Sequence, residues 1–159
     1  MRRTFRSAAA LVAVSLAMSA AVVGLTSGPA AAAGWCNQTV WVDEVYWPLD
    51  PTVDKVRIPS TGQDWPHAQC ELDTGAQGAA VKQLQLSLNT CYKENLGTDG
   101  KFGTLTKAAL KRAQIKEGMS TADRDGRYGP RTRDAIAHTG YGGPSAYCRY
   151  VDGPGGLGV

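Results

Sequence analysis

The feature that most constrains this chain is an internal repeat. Displacing the sequence by 26 positions lays residues 99–110 over residues 125–136. Asp99, Gly100, Gly103, Thr106 and Ala109 then fall on Asp125, Gly126, Gly129, Thr132 and Ala135, and Lys101/Arg127, Phe102/Tyr128, Lys107/Arg133 and Leu110/Ile136 are conservative pairs. Each copy reads as a tight turn followed by a helix. Aspartate-glycine makes the turn, because glycine takes positive φ without strain. The aromatic is expected to drop into the core beneath it, and the second glycine lets the chain swing into the helix. Thr106 and Thr132 fall in the first helical turn, where a hydroxyl can bond a free backbone group. A chain that uses such a unit twice within 40 residues is committed to a compact helical domain.

The flanking pattern predicts three helices. Gly78 opens the first, with Val81, Leu84 and Leu88 on one face, Lys82, Gln83 and Gln85 pointing elsewhere, and an end near Asn89. The second spans 104–114, with Leu105, Ala109 and Ala113 on one stripe and Gly118 as its C-terminal cap. The third spans 130–138 and starts on Pro130, at the position where proline is best tolerated. Before this domain, residues 34–69 read as an irregular arm that packs on it. The arm holds all four tryptophans, Trp35, Trp41, Trp47 and Trp65, and residues 40–47 suggest one short strand. Pro48, Pro51, Pro59 and Pro66 stop any long element. Indole faces stack on sugar rings, although packing in the core or between the arm and the domain is the commoner role for such residues. The tail after Gly140 is glycine-rich and is expected to be mobile beyond Tyr150.

The amino terminus reads as a targeting label. Arg2, Arg3 and Arg6 form a basic start, residues 8–23 are apolar and uncharged, Gly28 and Pro29 break the run, and Ala31, Ala32 and Ala33 suit a signal peptidase. This order predicts a cleaved secretory signal over 1–33. The run is short and alanine-rich, which argues against a stable membrane anchor. Arg2-Arg3 followed by Phe5 partly fits a twin-arginine signal, but Arg6 stands where an apolar residue is usual, so general and twin-arginine export both stay open. Loss of the leader would remove three of 17 basic residues and none of the 14 acids. The balance is then even, and the basic character of the whole chain is no argument for nucleic acid. Residues 34–73 hold seven acids against Lys55 and Arg57, whereas residues 74–159 hold twelve bases against seven acids. The basic half suits an anionic polymer such as a cell wall, and equally suits attraction between the two halves.

The four cysteines, Cys36, Cys70, Cys91 and Cys148, are an even set in an exported chain, so disulfides are expected. A zinc site would want closely spaced ligands, and no two of these cysteines are nearer than 21 positions. Three pairings are possible. The favoured one is Cys70–Cys91 with Cys36–Cys148, the first stapling the segment before helix one to its far end, the second tying the amino-terminal segment to the tail.

At these motifs the chain resembles the peptidoglycan-binding domain that accompanies many bacterial wall hydrolases, in the form common in secreted actinobacterial proteins. Gly78, Val81, Leu84, Gln85, Leu88 and Asn89 match its glycine and V-x-x-L-Q-x-x-L-N opening. Asp99, Gly100, Phe102, Gly103, Thr106, Ala109, Leu110 and Gln114 match its D-G-x-F-G-x-x-T-x-x-A part, and Asp125, Gly126, Tyr128, Gly129, Pro130 and Thr132 match the second turn. The likeness covers about residues 70–140. Ala113 stands where the family often has phenylalanine, and Thr104 replaces a proline before the second helix. The resemblance implies an all-α fold, a small three-helix domain (70–140) with a Trp-rich, disulfide-tethered arm (34–69), that recognises murein non-covalently. It points to the turn-helix junctions, and so to Gln85, Asp99, Thr106, Asp125, Thr132 and Arg133, as wall contacts.

An enzyme would need a constellation that the sequence does not supply. There are two histidines, His67 and His138, with no zinc-peptidase pair between them and no Gly-x-Ser-x-Gly elbow. Asp123 and Asp125 read as turn residues, and a glycosidase would need a cleft that so short a chain hardly provides. The reading is therefore of a non-catalytic, secreted, wall-associated binding module, with no metal, cofactor or nucleic acid. The alternative is a protein-directed module on the same scaffold, such as an inhibitor or partner of a wall hydrolase.

Overall fold

The computed structural model describes residues 34–43, 55–62, 69–140 and 147–151. The expected leader, Trp47, Trp65, His67 and the end of the glycine-rich tail lie outside them. Within them run β1 (Gln38–Asp43), β2 (Lys55–Ser60), α1 (Ala79–Tyr92), α2 (Thr104–Lys116), a short 3-10 turn (Thr121–Asp123), α3 (Pro130–Ala135), β3 (His138–Gly140) and β4 (Tyr147–Arg149). The strands form one antiparallel sheet in the order β1-β2-β3-β4.

The fold is therefore mixed α/β, not the all-α domain expected. The arm is not irregular either. Its residues form an antiparallel pair running from Gln38 opposite Ser60 to Asp43 opposite Lys55. For the third and fourth strands the reason is length. Alternation becomes diagnostic only over about four to eight residues, and β3 and β4 have three each. His138 ends no helix. Helix α3 closes at Ala135, where Ile136 turns extended, and the next residues are drawn into the sheet.

Helix α1 holds the two halves together because it is buried on both sides. Val81, Leu84 and Leu88 join Leu72, Phe102, Leu110, Tyr128 and Ile136 in the main core. The opposite side is covered by the sheet, beneath which Val40, Val56, Ile58 and Val151 form a second cluster. Lys82 alone of the three residues expected to point outward is exposed, while Gln83 and Gln85 are buried. Ser87, also buried, accepts a hydrogen bond from the Thr139 amide at 3.1 Å, which seats β3 on the helix. Asn89 pins the following loop by donating to the Leu96 carbonyl and accepting from its amide, both at 2.8 Å.

The disulfides pair Cys36 with Cys70 and Cys91 with Cys148, which overturns the favoured pairing. Cys70 lies before α1 and Cys91 in its last turn. Residues 34–36 instead lie beside Glu71, with Cys36 N–H donating to the Glu71 carbonyl and Glu71 N–H to that of Gly34, both at 3.0 Å. Cys148 sits on β4 at the end of α1. A hydroxyl cluster closes the same corner. Tyr92 Oη donates to Glu117 at 2.7 Å and accepts from the Ala137 amide, and Tyr150 donates to the other oxygen of Glu117 at 3.0 Å.

Each bridge closes a loop, of 34 and 57 residues, so the chain-entropy model gives about 4 kcal/mol apiece. The Cys91→Ala/Cys148→Ala double variant should lose stability on that order in chemical denaturation while keeping the helical circular-dichroism signal of the 79–116 region. An unchanged midpoint would show that the bridge adds nothing.

His138 is fully buried against Tyr128. Its Nε2 lies 2.9 Å from the Arg133 carbonyl, which can only accept, so Nε2 carries the proton in the neutral ring. Burial, reinforced by the Arg133 charge, pushes its pKa down to about 4. The unfolded chain therefore binds a proton that the folded chain refuses between pH 6.5 and about 4. Stability is fully present above pH 6.5 and falls as pH drops through that window, by about 3 kcal/mol. The carboxylates held low, such as Asp73 and Glu94, act below it. A His138→Asn variant should show a much flatter profile of melting temperature against pH from 6.5 to 4.

Candidate functional site: two glutamine-pinned turns and a charged cleft

The two repeats carry the same buried device. Gln85 of α1 reaches the first turn, where its Oε1 accepts from Gly100 N–H at 2.9 Å and its Nε2 donates to Asp99 Oδ1 (2.9 Å), the Lys101 carbonyl (3.1 Å) and Thr106 Oγ1 (3.3 Å). Gln114 of α2 repeats this at the second turn. Its Oε1 accepts from Gly126 N–H at 2.8 Å and its Nε2 donates to Asp125 Oδ1 (3.4 Å), the Arg127 carbonyl (2.9 Å) and Thr132 Oγ1 (3.1 Å). Each aspartate also accepts from the amide two residues on, Lys101 or Arg127. The Gln85 amide holds the Asp99 carboxyl below its usual range.

The turns need glycine for two reasons. Gly100 and Gly126 have φ of 71° and 73°. A Cβ on Gly126 would also meet the Lys107 carbonyl oxygen at 2.7 Å. The aromatics fall beneath the turns as expected, Phe102 and Tyr128 both being buried. The threonine hydroxyls each bond a backbone group, as expected of the first helical turn. They donate to the carbonyl of the turn, Lys101 or Arg127, rather than capping the helix. The segment before α1 then stitches both turns together. Phe102 N–H donates to the Ala76 carbonyl and Gly75 N–H to that of Phe102, while Tyr128 and Leu72 exchange both backbone hydrogen bonds.

Gln85, Asp99 and Thr106 thus meet in one pin, and Asp125 and Thr132 meet in the other. The structure gives all five a role within the fold. Gln85, Thr106 and Thr132 are buried, so little of them faces a ligand. Arg133 belongs to neither pin. It is 1% exposed and its guanidinium lies against Asp134 at 2.7 and 3.0 Å.

The second junction also opens a cleft of about 160 Å³. Glu71, Asp123, Asp125, Arg127, Arg131 and Thr132 surround it, with Tyr128, Gly129 and Pro130 along its base. Arg127 is anchored to Glu71 (2.7 Å) and Asp73 (3.3 Å), and Lys107 joins the same network through Asp73 at 2.7 Å. Arg131 is the most exposed of these cations and reaches Asp123 at 3.3 Å. Asp123 is held low first by the Ser120 hydroxyl and then by Arg131. Opposite charges fixed around a small opening suit a ligand that carries both carboxylate and amine or amide groups. Sequence reasoning found Asp125 and Thr132 but missed Arg127 and Arg131. Their signal was present, since both flank the Y-G-P of the second turn, but Glu71 and Asp123 come from elsewhere in the chain. No group of three or more potential metal ligands occurs among the described residues.

Residues 77–136 match the model of the peptidoglycan binding domain, and the chain belongs to that family. Among solved structures the chain is similar to the SleB N-terminal domain, at 32% identity over 41% of this chain and 85% of that one, with a TM-score of 0.38. It is also similar to a peptidoglycan-binding protein from Clostridioides difficile solved in complex with glutamine hydroxamate, at 28% identity over 51% of this chain and 44% of that one, with a TM-score of 0.39. No curated protein matches the chain.

If the pins hold the turns, Gln114→Ala should cost about 3 kcal/mol, because it orphans the buried Gly126 amide and the Arg127 and Thr132 groups together. Arg131→Ala on the nearby surface should change stability by less than about 0.5 kcal/mol. Urea unfolding of the two variants side by side checks the difference.

Proposed function

We propose that this protein is an exported, non-catalytic module that attaches to bacterial cell-wall peptidoglycan, with the cleft at the second turn-helix junction as its contact. The family match carries the wall as partner. The observation that carries the site is the cleft itself. The second turn places Asp125, Arg127 and Arg131 around one opening with Asp123 and Glu71, and supplies its base from the same motif. Peptidoglycan stem peptides present carboxylates, amines and amides in alternation, which such a mixed-charge rim complements. Thr132 and Asp125 then act mainly by fixing the geometry of the rim, and Arg127 and Arg131 make the charged contacts. The paired cysteines suit an oxidising compartment.

Co-sedimentation of the oxidised protein with purified sacculi tests this reading. Saturable pelleting that survives moderate salt is expected, and Arg131→Ala should weaken it by about fivefold, the equivalent of one lost charge-assisted contact. Pelleting that vanishes with salt would reduce the interaction to charge attraction. No pelleting at low salt would reject the wall as partner and favour a protein-directed module, the target being a wall hydrolase.

A further inference from the structure

The main core and the cleft leave one conspicuous feature unused, the exposed side chains of β1 and of the three residues that lead into it from Trp35. Across this stretch Cys36 and Val40 are buried, Thr39 is half-buried, and Trp35, Asn37, Gln38 and Trp41 are exposed. Trp35 is 56% exposed and Trp41 45%. Indole is the largest apolar surface a side chain can show to water, and two exposed indoles six positions apart, one on β1 and one just before it, mark a contact surface rather than scatter. This was not the packing role expected as the commoner one for the arm's tryptophans.

The platform is also ordered. Trp41 lies directly across from Arg57 in the sheet register, and the Arg57 guanidinium sits 5.5 Å from the centre of its ring. Arg57 is fixed in turn, with Nε donating to Thr39 Oγ1 at 2.8 Å. A cation held beside the indole restrains its tilt, so less rotamer freedom remains to be lost on binding. At the other end Trp35 is tied down by its backbone bridge to Glu71 and by the neighbouring Cys36–Cys70 disulfide. Six residue steps put the two Cα atoms at most about 20 Å apart.

We infer that Trp35 and Trp41 form a second binding surface on the sheet, which stacks on the sugar rings of an N-acetylated amino-sugar chain, with Arg57 facing its acyl and carboxyl oxygens. The chemistry favours a glycan over other occupants. Pyranose rings offer flat C–H faces to an indole and hydroxyl, acetamido and carboxyl oxygens to a guanidinium. Asn37 and Thr39, between the two rings, are short polar side chains of the kind that bond sugar hydroxyls. The spacing suits an extended polymer rather than a single sugar. As a biological assignment this rests on the peptidoglycan reading. It adds that the module grips the glycan strand through the sheet and the stem peptide through the cleft.

Chitin separates the two surfaces, because it is a polymer of N-acetylglucosamine without stem peptides. Pull-down of the oxidised protein on chitin and on sacculi, for wild type, Trp41→Ala, Trp35→Ala, Trp41→Phe and Arg131→Ala, is the experiment. Wild type should bind both. Trp41→Ala should lose about tenfold in affinity for chitin, Trp35→Ala a similar amount, and Trp41→Phe should recover most of the loss, since an aromatic face remains. Arg131→Ala should bind chitin as wild type does. Unchanged melting temperatures would confirm that the exposed tryptophans act on the ligand and not on the fold. Failure of wild type to bind chitin while it pellets with sacculi would overturn the platform and leave the cleft reading intact. Chitin binding without sacculus binding would support the platform and sink the peptidoglycan reading. A concentration-dependent dimer that dissociates in Trp35→Ala or Trp41→Ala would assign the face to a second copy of the chain and overturn the glycan.

Discussion

The carboxamide of a buried glutamine is the interaction on which the rest of this structure depends. A tight turn leaves an inward amide and an inward carbonyl close together, and both must be paired once water is excluded. Glutamine offers an acceptor and two donors at the end of one flexible arm, so a single side chain can satisfy both groups and the neighbouring threonine hydroxyl. Gln85 and Gln114 do this at the two turns with matching partners. Once each turn is locked, Phe102 and Tyr128 are aimed into the core and α2 and α3 start where Gly103 and Gly129 place them. The cleft is a consequence, since its base and half of its rim belong to the second locked turn.

Helix α1 transmits this order to the sheet. Its apolar face completes the helical core, and its other face carries the buried Gln83 and Ser87, the latter bonded to β3. A helix buried on both sides cannot move without disturbing both layers, and interiors packed at crystal-like density resist such shifts. The two disulfides act at opposite ends of the assembly. One holds the start of the described chain to the segment before α1, and the other holds β4 to the last turn of α1. The Tyr92–Glu117–Tyr150 cluster reinforces the second corner with hydrogen bonds. Burial, and with it the negative Glu117 carboxylate that accepts its hydrogen bond, push the Tyr92 phenol up, so it remains a neutral donor.

Two surfaces of different chemistry follow from these two layers. The helical layer exposes a cleft lined by opposite charges, and the sheet exposes indoles backed by a guanidinium. Charged rims give orientation and selectivity, whereas aromatic faces give contact area at small entropic cost. A glycan strand that carries stem peptides presents both kinds of group.

The sequence by itself determined the repeat, the three helix starts, the buried aromatics and the positive-φ glycines, because each rests on residues within one turn of each other. It also marked Gln85 and Gln114 as pattern positions, although not the atoms they bond. Legibility failed where partners are far apart in the chain. A strand as short as β3 has no periodic signal of its own, and only β2, β4 and Ser87 make it a strand. Gln83 and Ser87 look solvent-facing on a helical projection, and only the sheet above them makes them interior. The cysteine pairing, and the meeting of Glu71 and Asp123 with Arg127 and Arg131, were likewise decided in three dimensions. A one-dimensional pattern reports which face of an element is apolar. It does not report how many layers that element will be packed between, and for α1 that number was two.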